Sequence, residues 1–113
     1  MLEKIRMEYH RIAASFFLAG AYECLHMEAE EGKKHAIELG KWYFDRAAEN
    51  FGSYSDLGGK DEMMRLGFYE WMLDAMVLRG EISDRCYQCK KHRLLNAKTK
   101  MKHPELAGVY LRF

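Results

Sequence analysis

Proline occurs once in this chain, at position 104, so the residues before it run without the side chain that most reliably breaks a helix. Within that stretch apolar residues recur at alternating steps of three and four. Leu2, Ile5, Tyr9, Ile12, Phe16, Ala19 or Gly20, Cys24 and Met27 keep the rhythm, with Glu3, Lys4, Arg6, Glu8 and Arg11 between them, which is the signature of an amphipathic helix. Unbroken to Glu31, this helix is about 45 Å long, whereas a compact domain of this size has a radius of gyration of about 13 Å. Three arrangements absorb the length: a kink near Gly20, an elongated bundle, or a second chain covering the overhang.

Gly32 ends the first element. A second stripe runs Ile37, Gly40, Phe44, Ala47 and Phe51, widened by Trp42 and Tyr43, up to a loop-like cluster from Gly52 to Gly59. A third has Met64, Phe68, Trp71, Ala75 and Leu78 on one face and Gly80 as its C-terminal stop. Ser83 is a good N-cap for a fourth, because its hydroxyl can accept from a backbone N–H left without a partner in the first turn. That helix is expected over Asp84 to Ala97, with Tyr87, Leu94 and Leu95 as a thin apolar stripe. Pro104 forces His103 out of helical geometry. A short turn ending at Gly108 and an extended tail, Val109 to Phe113, follow. A lone strand lacks hydrogen-bond partners, so the tail must dock in a groove of its own bundle or pair with another chain. Gly20, Gly40 and Gly67 lie mid-helix, where glycine costs about 1 kcal/mol against alanine, and are read as close helix crossings.

The predicted fold is therefore all-α: a three- to four-helix antiparallel bundle with a basic fourth helix and an extended C-terminal tail. At 113 residues, one domain over 1–113 buries enough surface to need no disulfide or metal. With 49% apolar, 13% aromatic and 31% charged residues, the chain is too hydrophobic for disorder and too interrupted by charge to span a membrane. The N-terminal residues carry mixed charge and do not read as a signal peptide. Three cysteines, an odd number, argue against a disulfide framework and for a reducing, cytoplasmic setting.

The formal charge of +1 hides an asymmetry. Residues 1 to 84 hold 10 basic and 16 acidic side chains, net −6, and residues 85 to 113 hold 8 basic and 1 acidic, net +7. This gives an acidic helical body over 1–82 and a basic segment over 83–113. From Arg85 to His103 there is no acid at all: Arg85, Lys90, Lys91, Arg93, Lys98, Lys100 and Lys102 interleave with Tyr87, His92, Asn96, Thr99 and His103. A solvated helix normally mixes signs, so an unmixed run speaks of a partner or of the rest of the molecule. A phosphate backbone attracts such a run by counterion release. An acidic protein surface does so by complementarity, and the chain's own acidic body is a third candidate.

Two clusters have metal-ligand chemistry. Cys86-Tyr87-Gln88-Cys89 is a C-x-x-C with His92 and His103 downstream, and zinc wants four such ligands in a tetrahedron. The spacing is not that of a standard finger. On a helix His92 points away from the cysteines, so the simpler reading makes Cys86 and Cys89 small apolar fillers on the inner face, with Cys24 or His26 as substitute ligands if zinc binds. Glu23 and His26 form an E-x-x-H, which di-iron bundles use twice and this chain holds once. The acidic run Glu28, Glu30 and Glu31 at the end of the first helix opposes its dipole, a frustration that favours meeting a basic partner or the chain's own basic tail. No nucleophile elbow, phosphate-binding loop or zinc-protease motif is present.

These readings converge on a non-enzymatic interaction protein without a cofactor. It would bind and regulate or inhibit a protein or nucleoprotein through Arg85, Lys90, Lys91, Arg93, Lys98, Lys100 and Lys102, with Tyr110, Leu111 and Phe113 as anchors. The alternative is direct nucleic-acid binding with a zinc knuckle of Cys86, Cys89, His92 and His103, and a more distant one is a metal-bearing helical-bundle enzyme. A homodimer is compatible with each.

Overall fold

The structure, a computed structural model, describes residues 1–102. His103, the turn to Gly108 and the tail with Tyr110, Leu111 and Phe113 lie outside the described residues. Four helices account for nearly all of the rest: α1 (Leu2–Ala29), α2 (Ala36–Asp56), α3 (Glu62–Leu78) and α4 (Asp84–Lys102). The fold is all-α, as the periodicity predicts, and no strand occurs among the described residues. The chain forms two compact units, one spanning Met1–Asp61 and the other beginning at Glu62.

In the first unit α1 and α2 form an antiparallel hairpin. His10 Nδ1 lies 2.9 Å from Asn50 Oδ1 near one end, Gly20 meets Tyr43 midway, and near the other end the Ile37 amide donates to Glu28 Oε1 over 3.1 Å. Ala14, Leu18, Ala21, Cys24 and Leu25 are the buried residues of α1, and Ile37, Gly40, Ala47 and Tyr54 those of α2. The small side chains on α1 bring the helices close. A Cβ on Gly20 would stand only 2.9 Å from Tyr43 Cδ1, so the crossing inferred from this glycine is real. Phe17 rests edge-on against Trp42, with ring centroids 6.1 Å apart, and packs against Tyr43 at 6.3 Å.

Two expectations for this unit are corrected. The first part of the large apolar stripe of α1 does not face the core: Leu2, Ile5, Tyr9, Ile12 and Phe16 are all exposed, and only Cys24 further along it is buried. A second three-four stripe, from Met7 and His10 through Ala14, Leu18, Ala21 and Leu25 to Glu28, takes the α2 side, and its small residues permit the closer and better-covered contact. Helix α2 also continues past Gly52 to Asp56, because the buried Tyr54 anchors its last turn. It ends in a Schellman cap: Gly58 has a φ of 93° and donates to Ser55 O, and Gly59 donates to Tyr54 O. The frustration at the end of α1 is resolved internally for Glu28, whose carboxylate caps the positive N-terminus of α2.

The second unit is another antiparallel hairpin. Leu66, Gly67, Phe68, Trp71 and Ala75 of α3 and Leu94 of α4 are buried. Gly80 stops α3 as expected, with a φ of 72° and the same cap geometry, Gly80 donating to Val77 O and Glu81 to Met76 O. Ser83 Oγ accepts from the Cys86 amide over 3.1 Å, which is the N-cap read from the sequence. Helix α4 runs five residues beyond the expected end at Ala97. Lys98, Lys100 and Met101 are good helix formers, and the first residue with a reason to leave the helix is the one before Pro104.

Candidate functional site

Helix α4 reads differently on its two sides. Tyr87, Lys91, Leu94 and Lys98 recur at steps of four, three and four, so they share one face, and that face packs against α3. Leu94 is buried. Around it lies a polar network: Tyr87 Oη donates to Asp74 Oδ1 over 2.6 Å, and Lys91 Nζ lies 3.0 Å from Asp74 Oδ1 and 3.2 Å from Glu70 Oε2. Lys98 Nζ reaches Glu70 Oε1 over 2.9 Å. Two acids on successive turns of α3 thus receive two lysines and a phenol from α4.

The electrostatics follow from this geometry. Burial pushes the Glu70 carboxyl up, but Lys98 and Lys91 outweigh it and hold it below the usual glutamate range. Burial likewise works against the Lys91 ammonium, and Asp74 and Glu70 overcome it, so Lys91 sits above the usual lysine range. Tyr87 is raised by burial and by its bond to Asp74, and stays a neutral donor. For Lys91 and Lys98 the complementarity foreseen between basic segment and acidic body is therefore satisfied inside the chain.

The remaining cations of α4 are placed otherwise. Arg85, Lys90, Arg93 and Lys102 are exposed and Lys100 is half-buried, and none of the five makes an ion pair among the described residues. Asp84, in the first turn, is the only acid on the helix. Arg85, Lys90 and Arg93, with Ser83, Cys86 and Cys89, line an open hollow of about 380 Å³ on the helix surface. Three positive side chains around a shallow depression suit a carboxylate or phosphate group of a partner.

Cys86 is half-buried and Cys89 exposed, and both are free thiols. They do not fill the inner seam, which Tyr87 and Leu94 occupy, so the filler reading is overturned. Cys24 is the buried thiol, on α1. Among the described residues no three His, Cys, Asp or Glu side chains come together to hold a metal ion. Cys86, Cys89 and His92 all lie on α4, Glu23 and His26 are exposed on α1, and His103, Tyr110 and Phe113 lie outside the described residues.

Glu70 and Asp74 were not singled out from the sequence, although they divide the basic segment in two. The signal that marks them is the phase of Tyr87, Lys91, Leu94 and Lys98, an inward stripe half made of lysine, which requires acids on the facing helix. No helix among the described residues is long and apolar enough to cross a membrane. No protein-family model matches this chain, and no curated protein or solved structure matches it either.

Proposed function

We propose that this chain is a small non-enzymatic interaction protein of the cytoplasm that binds an acidic protein or nucleoprotein surface through the outward face of α4, and regulates or inhibits what it covers. The observation that carries this reading is the division of the basic helix. Lys91 and Lys98 are neutralised by Glu70 and Asp74, while Arg85, Lys90, Arg93, Lys100 and Lys102 make no ion pair among the described residues. Like charges gathered on one helix repel one another by a few tenths of a kcal/mol per adjacent pair, so their concentration is better explained by an external anion than by folding. Arginine at two of the five positions, 85 and 93, suits bidentate recognition of carboxylate or phosphate. The three free thiols agree with a reducing compartment.

The test is capture from the native host's lysate, with and without nuclease, comparing the chain with an Arg85→Glu/Lys90→Glu/Arg93→Glu variant. A partner kept after nuclease and lost by the variant is the expected result. A partner that binds the variant equally well overturns the role of this face. One released by nuclease and recovered with purified nucleic acid at low salt assigns the face to a phosphate backbone instead.

A further inference from the structure

Helix α1 has a second apolar face that its hairpin does not use. Leu2, Ile5, Tyr9, Ile12 and Phe16 keep 73%, 62%, 65%, 56% and 70% of their surface exposed. They follow the three-four rhythm of a coiled-coil seam, and no charged residue interrupts it before Ala19. We propose that the chain forms a homodimer along this seam, with two copies of α1 packed antiparallel.

Three observations select a second copy as the occupant. The first is area. At roughly 100–150 Å² of exposed surface per large side chain, the five present about 600 Å², the upper limit for a patch on a soluble monomer. Two copies bury about 1,200 Å² in total, which reaches the size of a standard stable interface. The second is shape. In antiparallel register Leu2 meets the partner's Ala19, Ile5 meets the partner's Phe16 and Tyr9 meets the partner's Ile12, so large positions face smaller ones. A parallel pairing would stack Tyr9 and Phe16 each on its own copy.

The third is charge. Arg6 and Glu8 flank the seam, and the antiparallel register sets them opposite the partner's Ala13 and the partner's Ser15, so no like charges meet. Glu8 is already bonded to Arg11 on its own helix, Arg11 Nε lying 2.6 Å from Glu8 Oε1. The result is an apolar core with a polar rim, the usual anatomy of a protein interface. The seam also accounts for a helix as long as Leu2–Ala29 carrying two apolar faces, one for α2 and one for its copy.

Sedimentation of the intact chain over about 1 μM to about 500 μM, the range of ordinary dimer affinities, tests this without any mutation. The expected mass is twice 13.3 kDa at the upper end. A monomer at every concentration overturns the proposal. Ile12→Glu and Phe16→Glu replace side chains exposed in the single chain, so each should keep its helical circular dichroism while weakening the dimer on the order of 100-fold. A dimer that persists unchanged in both variants overturns the assignment to this face. The basic face lies on the other unit, so the α4 triple charge reversal should leave the dimer mass unaltered, and each proposal fails separately.

Discussion

Lys91 on α4 lies 3.0 Å from Asp74 on α3, and its side chain is only 20% exposed. This lysine is the centre of the second hairpin's polar seam, since it also meets Glu70. Lys91→Met keeps the aliphatic stem but leaves two half-buried carboxylates short of a cation. Asp74 retains Tyr87 and Glu70 retains Lys98, so the loss should be partial, about 1–2 kcal/mol. Urea unfolding followed by amide exchange in α3 and α4 measures it. Stability equal to the parent chain would mean that the network contributes nothing net.

The same network sets the pH range of this hairpin. The folded-state pKa of Glu70 is depressed, so its contribution is present above the unfolded value of about 4.3 and is lost as pH falls through the lower folded value. At the other end Lys91 and Tyr87 are raised, so their contributions are complete below about pH 10 and are lost as pH rises through the folded values. Exchange protection in α3 and α4 should therefore decline below about pH 4 and above about pH 10. Glu70→Gln should flatten the acid limb, and an unaltered limb would assign acid unfolding to other carboxylates.

Two glycines within helices should respond oppositely to alanine. At Gly20 a Cβ meets the inner atoms of the Tyr43 ring at 2.9 and 3.1 Å, and the ring's root has little room to yield. Overpacking of 1–3 kcal/mol exceeds the helix-propensity gain of about 1 kcal/mol, so Gly20→Ala should destabilise by about 1 kcal/mol. Gly52, inside α2, has nothing within 4 Å of its Cβ position and no positive φ, so Gly52→Ala should stabilise by about 0.5–1 kcal/mol. Thermal melts of the two variants decide the matter, and a stabilised Gly20→Ala would show that the helices can part without loss.

Local signals in the sequence proved the most legible. Ser83 and Gly80 act through their own backbone neighbourhood, and the cap and the stop fell where their chemistry placed them. The face of α1 was misread for a physical reason: the helix carries two three-four stripes, and the one with the larger side chains looks like the core when size alone is weighed. Gly20 and Ala21 instead favour close approach, which only the pairing with α2 reveals. Likewise the charge of the basic segment was legible, but Lys91 and Lys98 differ from Lys90 and Lys100 only in phase. That phase acquires meaning once Glu70 and Asp74 stand opposite.

The three thiols should separate by reactivity. Burial, and then the nearby Glu23, push the Cys24 thiol up, so its reactive thiolate is both scarce and shielded. Cys89 is exposed and Cys86 half-buried on α4. A maleimide at neutral pH should label Cys89 first, Cys86 more slowly and Cys24 only on unfolding, read by peptide mass. Labelling of Cys24 in the folded chain at the rate of Cys89 would contradict the packing of α1.

Charge reversal along α4 should divide by face. Arg85→Glu, Lys90→Glu and Arg93→Glu alter exposed side chains that make no ion pair among the described residues, so each should change stability by no more than about 0.5 kcal/mol. Lys91→Glu and Lys98→Glu place a third carboxylate beside Glu70, and Lys91→Glu also beside Asp74, in a half-buried seam. Each should destabilise the second hairpin by at least about 2 kcal/mol. If the outward variants lose partner binding while their unfolding curves match the parent, the basic face is a recognition surface and the fold does not depend on it. If they unfold as readily as the inward pair, the outward cations are structural too, and the division of α4 loses its meaning.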